Sequence, residues 1–137
     1  MTQYPVVLMP DAVLVAVSIL NDGLPEIDFD VTAYDAVPNA RPAEFVTVRR
    51  TGGPRYGPVH DRAQITVESW AATTERAHDI AQACRALLRS ATGTVAEDTA
   101  VGRVEEVSGP AELPDPVSDQ PRYSQTFIAT LRGAPPA

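Results

Sequence analysis

The chain has 137 residues, 44% hydrophobic and 21% charged, a balance that excludes a disordered polymer and is enough for one folded core. Eleven basic residues, all arginine, stand against eighteen acidic ones, and the net charge of −7 argues against broad binding to a phosphate backbone. Cys84 is the lone cysteine, which excludes an internal disulfide framework and points to a reducing compartment.

The first cationic side chain is Arg41, and Pro10 and Asp11 break the early apolar stretch, so no signal peptide is expected. Asp11 to Leu20 reads as a short helix with Asp11 as N-cap and a stop at Asn21, Asp22, Gly23 and Pro25. Val13, Leu14, Val17 and Leu20 share one face, and Val15 and Ile19 widen it, which predicts a helix covered on two sides. Its apolar run falls short of the ~20 residues that cross a bilayer, so no membrane span is expected.

Ile27 to Tyr34 alternates, with Ile27, Phe29, Val31 and Ala33 on one side, and predicts a half-buried strand. Phe45 to Arg50 and Arg62 to Trp70 predict two further strands forming a hairpin. Their connection, Thr51 to Asp61, is rich in Gly and Pro and longer than the roughly two to five residues of an ordinary hairpin loop. Thr73 to Ser90 is the clearest helix: Thr73 caps it, Glu75 and Arg89 suit its dipole, and Ala77, Ile80, Ala81, Cys84, Leu87 and Leu88 form an apolar stripe. Val101 to Val107 and Tyr123 to Arg132 complete the strands. Between them Ser108 to Pro121 holds four prolines and predicts a stiff, extended arm, and Gly133 to Ala137 is expected to fray. The order α-β-β-β-α-β-β predicts a single α+β domain over residues 1–137, with one mainly antiparallel or mixed sheet of about five strands and two helices packed on it.

No catalytic, metal-binding or cofactor-binding set emerges. Cys84 lies on the buried stripe of a helix, where a thiol is inert, and His78 points away from it around the helix. Two separated histidines, His60 and His78, do not make a zinc spacing. The TGGPRY run at Thr51 to Tyr56 lacks the Gly-Lys-Ser/Thr ending of a phosphate loop. The acidic pairs Asp28 with Asp30 and Glu105 with Glu106 fit solvated strand faces, and Glu97 with Asp98 an exposed linker.

Two features suit contacts with other proteins. Arg49, Arg50, Arg55 and Arg62 bracket the long Gly/Pro loop together with Tyr56, and arginine and tyrosine are residue types that anchor interfaces. The proline arm carries Glu112, Asp115 and Asp119 and returns to the sheet at Arg122 and Tyr123. A solvated hairpin end and a rigid surface loop account for the same residues.

RPAEFVTVRRTGG at Arg41 to Gly53, VESWAATTERAHDIAQACRALL at Val67 to Leu88 and SGPAELPDPVSDQPRYSQTF at Ser108 to Phe127 resemble the tail terminator proteins of long-tailed, siphovirus-type actinobacterial bacteriophages. The resemblance implies a non-enzymatic virion protein, without cofactor, at the head-tail junction. It would form a homohexameric ring on the head-proximal end of the tail tube, stop polymerisation and meet the head-completion or stopper protein. Assembly would occur in the bacterial host cytoplasm, and DNA would pass through the lumen without specific binding. The candidate contacts with neighbouring subunits or the tube are Arg49, Arg50, Arg55, Tyr56, Arg62, Glu112, Asp115, Asp119 and Arg122. A connector adaptor or stopper is the nearest alternative. A small enzyme or ligand-binding domain, with its pocket between the sheet and the 73–90 helix, is a more distant one.

Overall fold

In a computed structural model, which describes residues 5–137, the first element is helix α1, Ala12–Gly23. Asp11 caps it: Oδ1 accepts from the backbone N–H of Val13 and Leu14, at 3.0 and 3.1 Å. The helix runs past Leu20 until a 3-10 turn, Pro25–Ile27, replaces it. Ala12, Val15, Ala16 and Leu20 are buried, whereas Leu14 is 50% exposed, so the helix is covered mainly on one side. Nearly every position of this helix is apolar, and the pattern therefore does not say which side faces inward.

The expected strand from Ile27 is present only at its end, as β1, Ala33–Tyr34. Ile27 closes the 3-10 turn and is exposed, and Asp28 takes a left-handed conformation, with φ 65°, that breaks any extended run. Val31 and Ala33 are nevertheless buried, so the alternation reports burial without a ladder. The side-chain amide of Asn21 holds this segment by exchanging two hydrogen bonds with the Ala33 backbone.

Strand β2, Phe45–Gly52, pairs antiparallel with β4, His60–Trp70, and the short β3, Arg55–Tyr56, folds onto the start of β4 inside their long connection. Gly53 is required there, because its φ is +95° and a Cβ would stand 2.0 Å from the Arg62 carbonyl oxygen. Helix α2, Thr74–Ser90, starts at Thr73, whose hydroxyl accepts from Arg76 N–H. Strands β5, Val95–Ala96, β6, Thr99–Glu112, and β7, Arg122–Arg132, follow.

The sheet order is β1-β2-β4-β7-β6-β5 with β3 beside β4, and β1 pairs parallel with β2. Among the described residues the expected five strands thus become seven in a mixed sheet, the two added ones, β3 and β5, being two-residue pieces too short to show a period. A larger correction concerns the proline arm. Ser108, Ala111 and Glu112 pair with β7, so its first part is a strand, and the register shifts beside these residues, on a stretch of β6 that β5 does not cover, let the strand carry Pro110. Only residues 113–121 form a loop. Gly133 and Ala134, at the chain end expected to fray, are hydrogen-bonded to Val59 and Leu8.

Both helices pack on one face of the sheet. Val46, Val48, Ala63, Ile65, Val67, Phe127, Ala129 and Leu131 meet Leu20, Ile80, Cys84 and Leu88 in the core. Gly23 lets α1 approach α2, since a Cβ there would stand 2.6 Å from Leu87 Cδ2. The opposite face carries no helix among the described residues and, apart from the Phe45–Trp70 stack at one end, is mainly polar, with a hydroxyl row joining Thr51, Thr66 and Thr126.

Candidate functional site

The register sets the geography of the candidate residues. Phe45 pairs with Trp70 and Trp70 with Arg122, which defines one end of the sheet, and His60 pairs with Tyr56 and Arg132 at the other. At ~3.3 Å per residue the length of β4 separates these ends by ~33 Å. The Gly/Pro loop with its arginines and the proline loop therefore lie at opposite ends of the molecule, a separation that their positions in the sequence do not reveal.

At the Trp70 end, the 113–121 loop is held by internal bonds. Asp115, only 8% exposed, accepts from the backbone N–H of Val117 and Ser118 and from the Ser118 hydroxyl. Those bonds, the hydroxyl's first, hold its carboxyl below the usual range. Arg41 donates to Ser118 and Gln120, and Gln120 donates to the Ala43 carbonyl. Arg122 donates to the Leu113 carbonyl and pairs with Glu68 at 3.4 Å. The Trp70 ring joins these pieces: it stacks on Phe45 at 5.1 Å, has the Arg41 and Arg122 guanidiniums 5.1 and 5.0 Å from its centroid, and donates its indole N–H to Thr47. At the apex Val117 is 95% exposed, and Glu112 and Asp119 also face solvent.

At the His60 end, Arg50 donates to both oxygens of Asp61, at 2.6 and 3.0 Å, and to the Gly52 and Gly53 carbonyls. Asp61 is 3% exposed, so this pair locks the loop. Arg49 belongs to the helix-free face, pairing across to Thr66, whereas Arg50 pairs across to Ile65 on the helix side. Arg62 is bonded to Glu105 at 3.0 Å. Arg55 donates to the Pro58 carbonyl and stays exposed beside Tyr56.

Of the nine residues singled out, Arg49, Arg55, Tyr56, Glu112 and Asp119 thus face outward, while Arg50, Arg62, Asp115 and Arg122 are engaged inside the fold. Sequence reading missed Arg41, Glu68 and Trp70, which build the Trp70 end, and Val117, the side chain it displays. A lone valine in the polar run DPVSD was the available signal.

The chemistry-bearing residues do not converge. Cys84 is buried, and burial pushes its thiol up to about 12. His78 meets the Tyr123 ring edge-on, and His60 opens β4. Glu105 and Glu106 are bound by different arginines: Arg62 and Arg103 hold the first, and Arg85 and Arg89 the second. Among the described residues no group of three or more His, Cys, Asp or Glu is arranged to hold a metal ion. Beneath α1 and the end of α2, the sheet leaves an apolar gap of about 10 Å³ lined by Ala16, Ile65, Leu88 and Leu131, room for at most one water. No helix among the described residues is long and apolar enough to cross a membrane.

No curated protein matches the chain. Residues 8–135, from Leu8 to just past its bridge partner Ala134, match the family described as phage tail termination protein, and the chain belongs to that family.

Proposed function

We propose that this protein ends the tail tube of a long-tailed bacteriophage by forming a homohexameric ring on its head-proximal end. The ring stops addition of the major tail protein and offers its free side to the head-completion or stopper protein, which places it in the neck of the virion. The match to the tail termination family over residues 8–135 carries this reading. Geometry and surface complementarity do the work, and no bond of a substrate is made or broken.

Two further observations support it. Four of the five outward residues fall into two chemically different groups at opposite ends of the sheet, Arg55 and Tyr56 at one and Glu112 and Asp119 at the other, and a ring needs a heterologous contact in which one patch meets a different patch on the next copy. The net charge of −7 suits a channel through which DNA passes without being held. Arg49, Arg55, Tyr56, Glu112 and Asp119 are the side chains available for these contacts. Arg50, Arg62, Asp115 and Arg122 contribute by fixing the segments that carry them.

The test is electron microscopy of purified protein mixed with tail tubes and major tail protein. The expected result is a ring at one end of each tube and tubes that no longer elongate. Tubes that keep growing with both ends bare would overturn the proposal, and binding without arrest of growth would favour a connector adaptor or stopper.

A further inference from the structure

The two ends of the sheet differ in more than composition. At the Trp70 end, Val117 stands almost wholly in water on a loop fixed by Asp115, Arg41 and Arg122. Leu113, 50% exposed, extends the apolar tip. A loop already ordered loses little conformational freedom on docking. Its nearby cations are consumed internally, Arg41 by Asp115, Arg76 by Glu44 and Arg122 by Glu68, while Glu112 and Asp119 have no ion pair among the described residues.

The β3 corner of the His60 end has the opposite character. Tyr56, Val6 and Leu8 are 63%, 57% and 59% exposed there. Arg49, Arg55 and Arg132 are the arginines without an ion pair among the described residues, and the last two lie at this end. One end therefore carries an apolar tip with uncompensated acids, and the other an apolar and aromatic surface with uncompensated arginines.

Resting on the ring reading above, we infer that the occupant of the Tyr56 surface is the Val117 loop of a second copy of this chain. Val117 and Leu113 pack on Tyr56 and its apolar neighbours, and Asp119 and Glu112 approach Arg55 and Arg132. Tyrosine and arginine suit such a contact because both supply large rigid area with a polar tip. Because the patches differ and lie at opposite ends, each copy offers one of each, and association runs head to tail until the rotation closes.

Cysteine cross-linking tests the contact directly, because buried Cys84 is silent. Within one chain, positions 56 and 117 belong to opposite ends of β4, a strand ~33 Å long, and so lie far beyond the ~7 Å Cα separation that a disulfide spans. Oxidation of the V117C/Y56C double variant, with and without tail tubes, should give a ladder of disulfide-linked multimers. A mixture of the V117C and Y56C single variants should stop at dimers, because each chain has one reactive partner. Capping is scored on the same samples. Capping without a ladder would overturn this contact and leave the terminator reading standing. A ladder without capping would support the contact and overturn that reading, and absence of both would overturn both. Dimers formed by V117C alone would show a symmetric contact and also overturn the inference.

Discussion

Arg50 holds Asp61 through two hydrogen bonds of 2.6 and 3.0 Å across the mouth of the β2-β4 connection, while its chain neighbour Arg49 emerges on the other face of the sheet. Two adjacent arginines therefore have different jobs. Arg50→Met should cost ~2 kcal/mol in urea denaturation. That is below the ~3–5 kcal/mol of a fully buried broken pair, because Arg50 remains partly in water. Arg49→Met should change stability by no more than ~0.5 kcal/mol. Equal losses would refute the assignment, and a double substitution of both is a poor interface probe because it also unlocks the loop.

The glycines of the same loop should separate in the same assay. A Cβ at Gly53 meets the Arg62 carbonyl, whereas one at Gly52 has nothing within 4 Å and only the strain of its φ of +131°. Gly53→Ala should destabilise by several kcal/mol or displace β3, and Gly52→Ala by ~1 kcal/mol. The hydrogen-exchange protection of the Arg62 amide, which donates to Pro54, reports the displacement.

Acid should weaken the protein through two carboxylates in particular. Asp115 is held below its usual value chiefly by the Ser118 hydroxyl, and Glu106 chiefly by Arg85. A carboxyl whose folded pKa is depressed contributes stability that is present above its unfolded pKa and lost as pH falls through the folded one. The melting temperature should therefore hold through neutral pH and fall below about pH 4. Asp115→Asn should flatten that fall, and an unchanged acid limb would count against the carboxylate's role in the loop.

Cys84 lies in the core between α2 and the sheet, its thiol pushed up to about 12 by burial. Native protein at pH 8 should react with a thiol reagent at least ~100-fold more slowly than the urea-unfolded chain. Rapid modification of the native protein would show that the helix opens readily or that the thiol is accessible.

Much of the fold is legible in the chain because caps and periods are local. Asp11 and Thr73 cap the helices they were expected to cap, and the alternation of Ala63, Ile65 and Val67 in β4 and of Phe127, Ala129 and Leu131 in β7 marks their core sides. Reading failed where the same signal has two physical causes. Phe29, Val31 and Ala33 alternate because an irregular segment follows the edge of the core, and the left-handed Asp28 ends any strand. Proline density bars a central strand, yet it is equally compatible with an extended arm and with an edge: Pro110 stands on the part of β6 that β5 does not reach, at an irregular register.

The candidate surface divides the same way. Charge, arginine enrichment around a Gly/Pro loop, proline stiffness and the family resemblance are properties of residue types and order, and the sequence by itself determined them. Which of those arginines and acids are free is decided by partners far away in the chain: Arg62 by Glu105, Arg122 by Glu68, and Arg41 by Ser118 and Gln120. Strand register brings these groups together or keeps them ~33 Å apart, and an ion pair depends on distance in space. Only the tertiary structure could therefore separate the side chains that hold the loops from those the loops present.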